Sequence, residues 1–211
     1  MKILNLYAGI GGNRKLWGDE HQVTAVEYMP HIAKIYADYF PNDTVIIADA
    51  HKYLLDHYKE FDFIWSSTPC PTHSNARFWS SKGGMYDVIY PDMTLYQEVI
   101  FLQNFYDGKW VVENVKPYYK PLIEAKEIGR HLFWSNFSLP NIKYESNYIF
   151  SKSKKEIKKI SQMLGYDLSK YNLKDEVKLL RNCVIPEVGK AILDRATGII
   201  HESNDTQTKL F

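Results

Sequence analysis

Two residues that can perform covalent and acid-base chemistry follow neighbouring apolar runs of this sequence. Cys70 stands between two prolines after the run 61–65, and Glu113 follows the run 110–112. Proline fixes its own backbone and restricts the residue before it, so the direction of the Cys70 thiol is largely preset. A thiol and a carboxyl group on neighbouring strand ends can act on one substrate as nucleophile and acid. The alternative interpretation is a buried small cysteine and a surface acid.

A glycine turn and two further acidic residues precede this pair. The turn at residues 8–12 follows the first β-prone run, Glu27 ends the second run and Asp49 ends the third. Glycines allow a ligand to approach the backbone, and the carboxylates can accept hydrogen bonds from ribose hydroxyls at Glu27 and from an adenine amino group at Asp49. The pattern indicates an adenosine-containing ligand, although the turn departs from G-x-G-x-x-G and has no P-loop lysine.

The elements that must position these residues alternate between strands and helices. Apolar patterns predict strands at 2–7, 23–26, 45–48, 61–65, 110–112 and 132–137, and helices at 13–17, 30–40, 95–105, from 151 and at 185–196. This alternation predicts an α/β fold with a mostly parallel sheet covered on both faces, whose ligands bind beyond the carboxyl ends of the strands. We predict a long loop at 74–91.

Composition limits the class of protein. The 211 residues are 45% apolar and 15% aromatic, which is enough for one domain, predicted at 1–200 with a flexible tail at 201–211. The 26 basic and 25 acidic residues neither require nor exclude a polyanionic partner. Two cysteines cannot form a disulfide framework, and no run approaches the ~18 apolar residues of a membrane span. We therefore predict a soluble, cytoplasmic protein without a membrane partner, and the seven scattered histidines indicate no metal site.

The motifs occur in the order found in the cytosine-5 DNA methyltransferases, and the chain resembles this family from residue 3 to about residue 195. Residues 4–12 resemble the cofactor motif, Pro69-Cys70 the nucleophile motif, Glu113-Asn114-Val115 the acid motif and residues 181–184 the late motif that completes the cofactor pocket. The resemblance implies the class I methyltransferase fold, which is Rossmann-like and doubly wound, and S-adenosyl-L-methionine as cofactor. It places that cofactor against Tyr7, Ala8, Gly9, Ile10, Gly11, Gly12, Glu27, Tyr28, Asp49, Ala50, Pro69, Asn182 and Val184.

The resemblance also implies a reaction. The Cys70 thiolate would add to carbon 6 of a cytosine flipped out of duplex DNA while Glu113 holds a proton at ring nitrogen 3, which makes carbon 5 nucleophilic enough to accept a methyl group. Arg130 is the third implied catalytic residue. The implied substrate-binding residues are Ser74, Asn114, Arg130 and His131, and the segment 74–91 would close over the base.

The sequence departs from the family pattern at several positions. Pro71 replaces the usual glutamine, Asn5 replaces the usual aspartate, and Arg130 alone remains of an arginine pair, with His131 beside it. The segment 138–180 replaces a full target-recognition domain, so we expect a short or relaxed recognition sequence. Lysines that could hold phosphates in this segment are Lys152, Lys154, Lys155, Lys158 and Lys159.

Several alternatives stay open. The last five residues, from Gln207 to Phe211, resemble the peptide by which bacterial proteins bind the replication sliding clamp, and the alternative is an inert tail. The chain could instead modify RNA, like the related tRNA-modifying branch, or it could be a catalytically silent protein that binds the cofactor or DNA. We expect a monomer or weak homodimer from a bacterium or phage, in a restriction-modification setting.

Overall fold

A sheet flanked by helices forms the protein, and the computed structural model describes residues 1–142 and 154–199. Within these ranges the strands are β1 (Lys2–Leu6), β2 (Gln22–Val26), β3 (Thr44–Ile46), β4 (Phe63–Ser67), β5 (Lys109–Val115), β6 (Lys126–Ile128) and β7 (His131–Ser135). The helices there are α1 (Pro30–Tyr39), α2 (Ala50–His57), α3 (Asn75–Lys82), α4 (Thr94–Phe105), α5 (Lys154–Leu164), α6 (Glu176–Asn182) and α7 (Pro186–Ala196), with a 3-10 turn at Tyr58–Glu60. None of these helices is long and apolar enough to cross a membrane.

The seven strands lie in the order β3-β2-β1-β4-β5-β7-β6. Pairing is parallel from β3 through β5, and β7 runs antiparallel to both β5 and β6. The chain winds outward from β1 to β3 and then returns to β4 on the other side of β1. Such a reversal opens a crevice beyond the carboxyl ends of the two central strands. The predicted α/β, Rossmann-like, doubly wound and mostly parallel sheet is therefore confirmed.

The two faces of the sheet bury separate cores, because successive strand residues point to opposite sides. On one face Leu4 and Ile64 pack with Leu102 of α4. On the other face Ile3 and Trp65 pack with α7. The parallel strands are therefore apolar on both sides, as expected for a sheet covered by two helix layers.

The described part of the segment 138–180 packs beside α1. Ile160 of α5 lies in one buried cluster with Ile32 and Ile35 of α1. At the edge of this cluster the Tyr39 hydroxyl donates to the Asp167 carbonyl oxygen at 2.8 Å. This segment, predicted as a reduced recognition region, thus contributes apolar side chains to the core next to the glycine turn. Residues 143–153, and with them Lys152, lie outside the described residues.

Several local predictions are wrong. Residues 13–17 form successive turns and no helix, because the Asn13 amide pairs with Asn5 at 2.8 Å and the Arg14 guanidinium pairs with Asp43 at 2.9 Å. The segment 74–91 is not a continuous loop, since its first part forms α3. In the third case β5 extends to Val115, so that Glu113 and Asn114 lie within the strand.

Helices α2 and α6 and the strand β6 were not predicted, because each is short. Helix α2 begins where the Asp49 carboxylate accepts the backbone N–H of Lys52 at 2.8 Å. Asp49 is therefore a helix cap that follows β3 by three residues, and it does not end the strand as predicted. The same type of cap, Asp175, begins α6.

Gly12 lies against the junction between α6 and α7. A Cβ atom there would stand 2.6 Å from the Cβ of Cys183 and 2.7 Å from the carbonyl oxygen of Val184. Because backbone cannot move aside as easily as the end of a side chain, we expect Gly12→Ala to lower the free energy of unfolding by about 1–3 kcal/mol in a denaturant titration.

The matched control is Gly83→Ala. Gly83 has φ −78° and its added Cβ would first meet another atom at 3.5 Å, which is ordinary contact. This control should change the unfolding free energy by less than about 0.5 kcal/mol. Equal effects of the two substitutions would contradict the close packing of the glycine turn.

Candidate active site

The glycine turn stands at the carboxyl end of β1, where the winding of the sheet reverses. Tyr7, Gly9 and Gly11 all have positive φ angles, of 54°, 55° and 85°. A Cβ on Gly9 would meet nothing within 4 Å, whereas one on Gly11 would lie 2.3 Å from the Phe40 ring. Gly11 is therefore required for packing, and Gly9 leaves open space in which a ligand can approach the backbone.

Glu27 follows β2 directly and is held by this turn. One carboxylate oxygen accepts the backbone N–H of Gly9 at 3.0 Å, and the other accepts the N–H of Met29 at 2.9 Å. Each oxygen retains a further acceptor position, so a fixed carboxylate can still accept hydrogen bonds from a ribose. Beside it, Asp49 and Tyr28 are exposed. These residues fit an adenosine-containing cofactor.

The other predicted cofactor residues differ in what they can contribute. Ile10 and Val184 are buried in the hydrophobic core, so their side chains support the turn. Ala8 and Ala50 are buried, and Gly12 packs against Cys183. Pro69 and Asn182 are exposed. The late motif thus lies against the first motif at Gly12.

Cys70 is partly buried, in a segment held on both sides. The Cys70 carbonyl accepts the backbone N–H groups of His73 and Ser74 at 3.0 and 3.1 Å. On the other side the Asn114 amide donates to the carbonyl and hydroxyl oxygens of Thr68 at 3.0 and 2.8 Å. Asn114 and Ser74, both predicted to bind substrate, hold the segment that contains Cys70, Ser74 as the cap of α3.

The surroundings of Cys70 favour its protonated thiol over the thiolate. Burial raises the pKa of Cys70, the Glu113 carboxylate raises it further, and the Arg130 guanidinium opposes both. At neutral pH the sulfur therefore carries its proton, and a nucleophilic thiolate requires removal of that proton. The positive charge of Arg130 favours the thiolate.

Glu113 is buried between β4 and β7. In the sheet register it stands opposite Ser67 of β4 and Phe133 of β7. Burial raises the pKa of Glu113 to about 7, although a hydrogen bond from Ser67 and the charge of Arg130 favour its ionised form. At neutral pH the carboxyl group is therefore divided between its two forms, which suits a group that holds a proton for a substrate.

Arg130 and His131 occupy the turn between β6 and β7 and the start of β7. The guanidinium of Arg130 donates to the carbonyl oxygen of Arg181, which joins this turn to the late motif. The imidazole Nε2 of His131 lies 3.7 Å from a Glu113 oxygen, but burial and Arg130 lower the pKa of His131 to about 3. The contact is therefore not an ion pair at neutral pH, and of these two side chains Arg130 alone carries charge.

Glu98 of α4 is a site residue that the sequence analysis missed. Its fully buried carboxylate accepts the Tyr7 hydroxyl at 2.6 Å and the Ser66 hydroxyl at 2.5 Å, and it contacts Nδ1 of His51 at 3.0 Å. The group connects the end of β1, the strand β4 and the start of α2, which surround the crevice. A single acid on the apolar face of a helix was the available signal. No cluster able to hold a metal occurs in the described part of the chain.

The burial of Glu113 predicts how stability depends on pH. In the unfolded chain a glutamate ionises near its ordinary pKa of 4.5, but in the folded protein it keeps its proton up to about pH 7. Unfolding should therefore become easier as pH rises between these values. The free energy of unfolding of the wild type, measured relative to Glu113→Gln, should fall by roughly 3 kcal/mol across that window. A difference that does not change with pH would contradict the burial of an ionisable carboxyl group.

The contact between His51 and Glu98 can be tested by an NMR titration of the histidine rings. A hydrogen bond to the Glu98 carboxylate raises the pKa of His51 above its ordinary value. Glu98→Gln keeps the size of the side chain and removes its charge, so the pKa of His51 should fall. The pKa of His21, which burial lowers and Glu20 raises, should not move. An unchanged His51 titration would contradict the pairing.

Comparison with known proteins identifies one matching family. The family model described as C-5 cytosine-specific DNA methylase matches residues 1–127. No curated protein sequence is similar enough to this chain to count as a match.

Three of the solved structures that match this chain are described by their similarity to it. The first is a mutant of Spodoptera frugiperda DNMT2, with 17% identity, a TM-score of 0.46, and 69% of this chain and 53% of that chain covered. The second is a putative DNA modification methyltransferase encoded within an E. coli prophage, with 20% identity, a TM-score of 0.37, and 57% of this chain and 33% of that chain covered. The third is NSun6 from Pyrococcus horikoshii, with 16% identity, a TM-score of 0.42, and 56% of this chain and 35% of that chain covered. The chain thus spans about half of the first structure and a third of the second.

The match of the family model covers more than half of the 211 residues. It includes the glycine turn, Glu27, Asp49, Cys70 and Glu113. The sheet order and the family match confirm the predicted class I methyltransferase fold, and S-adenosylmethionine is the methyl donor of the matching family. The chain belongs to the C-5 cytosine-specific DNA methylase family.

Proposed function

We propose that this protein methylates carbon 5 of cytosine in DNA, with Cys70 as the nucleophile and Glu113 as the acid. The observation that carries the proposal is the position of the two groups. Cys70 lies in the segment after β4, and Glu113 lies on the adjacent strand β5, both beside the open glycine turn. The pKa of the Glu113 carboxyl group is raised to about 7. The proposed substrate is DNA because the matching family model describes DNA methylases.

The first step uses opposite proton requirements at two residues. Glu113 in its protonated form donates a hydrogen bond to ring nitrogen 3 and stabilises the negative charge that develops there. Cys70, once deprotonated, adds to carbon 6, so that a carbon–sulfur bond forms and the 5,6 double bond shifts its electrons toward carbon 5. Arg130 supplies positive charge near both groups.

The second step restores the ring. The glycine turn and Glu27 would hold S-adenosylmethionine, which would supply the methyl group to carbon 5 and leave as the neutral thioether. Loss of the carbon 5 proton to a base then re-forms the double bond and expels the Cys70 thiolate. Throughout, Asn114 holds the Thr68 end of the nucleophile segment in place, so the thiol does not need to search for its position.

Nucleic-acid binding outside the reacting base is assigned to basic residues. Lys155, Lys158 and Lys159 of α5 are exposed, and Lys178 of α6 lies near enough to Cys70 to lower the pKa of its thiol. Contacts of this kind bind phosphates without reading the sequence. They support a short or relaxed recognition sequence.

Further predictions about partners complete the proposal. Residues 207–211, which resemble a peptide that binds the sliding clamp, lie outside the described residues, so clamp binding stays a prediction. The same holds for a monomer or weak homodimer, a cytoplasmic location and a role in restriction-modification. If the clamp peptide functions, affinity for replicating DNA could come from the clamp.

The test is transfer of labelled methyl groups from S-adenosylmethionine to DNA, followed by base-by-base mapping of the modified cytosines. We expect label at carbon 5 in the wild type and a loss of about a thousandfold or more in Cys70→Ala. DNA with 5-fluorocytosine should trap a covalent complex, since fluorine cannot leave carbon 5 as a proton does. Peptide mapping should place the bond at Cys70 and not at the buried Cys183.

Two outcomes would overturn the proposal. Methyl transfer to RNA and none to DNA would show that DNA is the wrong substrate, although the roles of Cys70 and Glu113 could stand. Tight binding of the cofactor with no transfer to either nucleic acid would instead identify a silent binding protein.

A further inference from the structure

Helix α3 and the loop after it expose large apolar side chains next to the Cys70 segment. We call this the aromatic surface, and it consists of Trp79, Met85, Tyr86, Val88 and Tyr90, all exposed, with Trp79 65% and Tyr90 94% accessible. Soluble proteins rarely expose a patch of this kind unless it binds something. Since α3 begins only five residues after Cys70, an occupant of the patch would lie near the reacting base.

The platform below this surface is anchored to the acid motif. The ring of Phe78 stacks on Tyr118 with centroids 4.3 Å apart and planes inclined by 6°. Ser74 forms a β-bridge with Pro117, and the Asn75 amide donates to the Lys116 carbonyl oxygen at 3.3 Å. Helix α3 is therefore fixed to the segment that follows Glu113-Asn114-Val115 and presents its exposed rings from a defined position.

Cationic side chains lie among the rings. The Arg77 guanidinium stands 4.3 Å from the centroid of Tyr86. The Lys82 ammonium stands 5.0 Å from the centroid of Phe78 and 5.8 Å from that of Trp79. Proteins bind single-stranded nucleic acids with two components, exposed aromatic rings that stack on bases and positive charges that attract phosphates. Both occur here.

We propose that the aromatic surface binds unpaired bases that flank the target cytosine, so that the protein prefers a single-stranded or locally opened substrate. The inference rests on the proposed function and adds the strand state of the nucleic acid. An exposed ring can stack only on a base whose face is free, and in a duplex both faces are covered by neighbouring pairs. Pre-formed single strands also remove the cost of unstacking the target base.

The chain provides its own spectroscopic probe. Its five tryptophans all lie within the described residues, and Trp79 is exposed whereas Trp17, Trp65, Trp110 and Trp134 are buried. A base stacked on Trp79 should therefore quench its fluorescence. We would titrate the full chain with a mixed-sequence single-stranded oligodeoxynucleotide and with the same sequence as a duplex, and measure quenching together with anisotropy of a labelled oligonucleotide.

We expect the single strand to bind at least about tenfold more tightly than the duplex, with quenching. Trp79→Ala should weaken single-strand binding by roughly 5- to 100-fold, since one stacked base contributes about 1–3 kcal/mol. Trp79→Phe should retain most of the affinity and lose the quenching. The matched control is Phe105→Ala, which also removes an exposed aromatic ring. Phe105 is the last residue of α4, shortly before β5 begins, and does not belong to the aromatic surface. It should bind like the wild type.

The outcomes separate this inference from the proposed function. Equal affinity for both strand states, with no loss in Trp79→Ala, would overturn the inference even if methyl transfer occurs. Quenching that depends on protein concentration alone, with a dimer in sedimentation, would overturn it too and assign the surface to a second copy of the chain. Single-strand binding through Trp79 without methyl transfer would support the inference and count against the proposed enzyme.

Discussion

Parallel pairing of β1 with β2 on one side and with β4 on the other is the constraint on which the site depends. Parallel strands require that every connection cross over the sheet, so the carboxyl ends of the strands collect at one edge. The glycine turn and Glu27 follow two such strands closely, Cys70 comes three residues after a third, and Glu113 lies near the end of a fourth. Residues far apart in the chain are therefore brought to one crevice by the pairing of the strands.

Polar groups inside this framework determine its chemistry. Glu98 is buried with three hydrogen-bonding partners, which compensate for its loss of water. Glu113 is also buried but faces Phe133 and the neutral His131, and its pKa rises to about 7. Glu98 thus joins three structural elements, whereas Glu113 holds a proton that it can release near neutral pH. The difference comes from the partners that the sheet places beside each carboxyl group.

The late part of the chain depends on the first turn. Gly12 allows the α6–α7 junction to approach within backbone contact, and Arg130 joins the same junction to the β6–β7 turn. The short segment that precedes this junction packs on α1. Helix α3 begins five residues after Cys70, and it and its loop carry the exposed rings and cations that we propose bind an unpaired strand.

Local patterns in the sequence determined the strands, most of the longer helices and the order of the motifs, because apolar period, glycine turns and proline restraint act over a few residues. Helix α3 was not recognised because its face is mostly exposed, and residues 13–17 are not helical because Asn13 and Arg14 have distant partners. Tertiary structure alone decided the raised pKa of Glu113, the role of Glu98 and the exposure of Trp79. Burial and hydrogen-bond partners depend on elements far away in the chain, and no local pattern encodes which of them will meet.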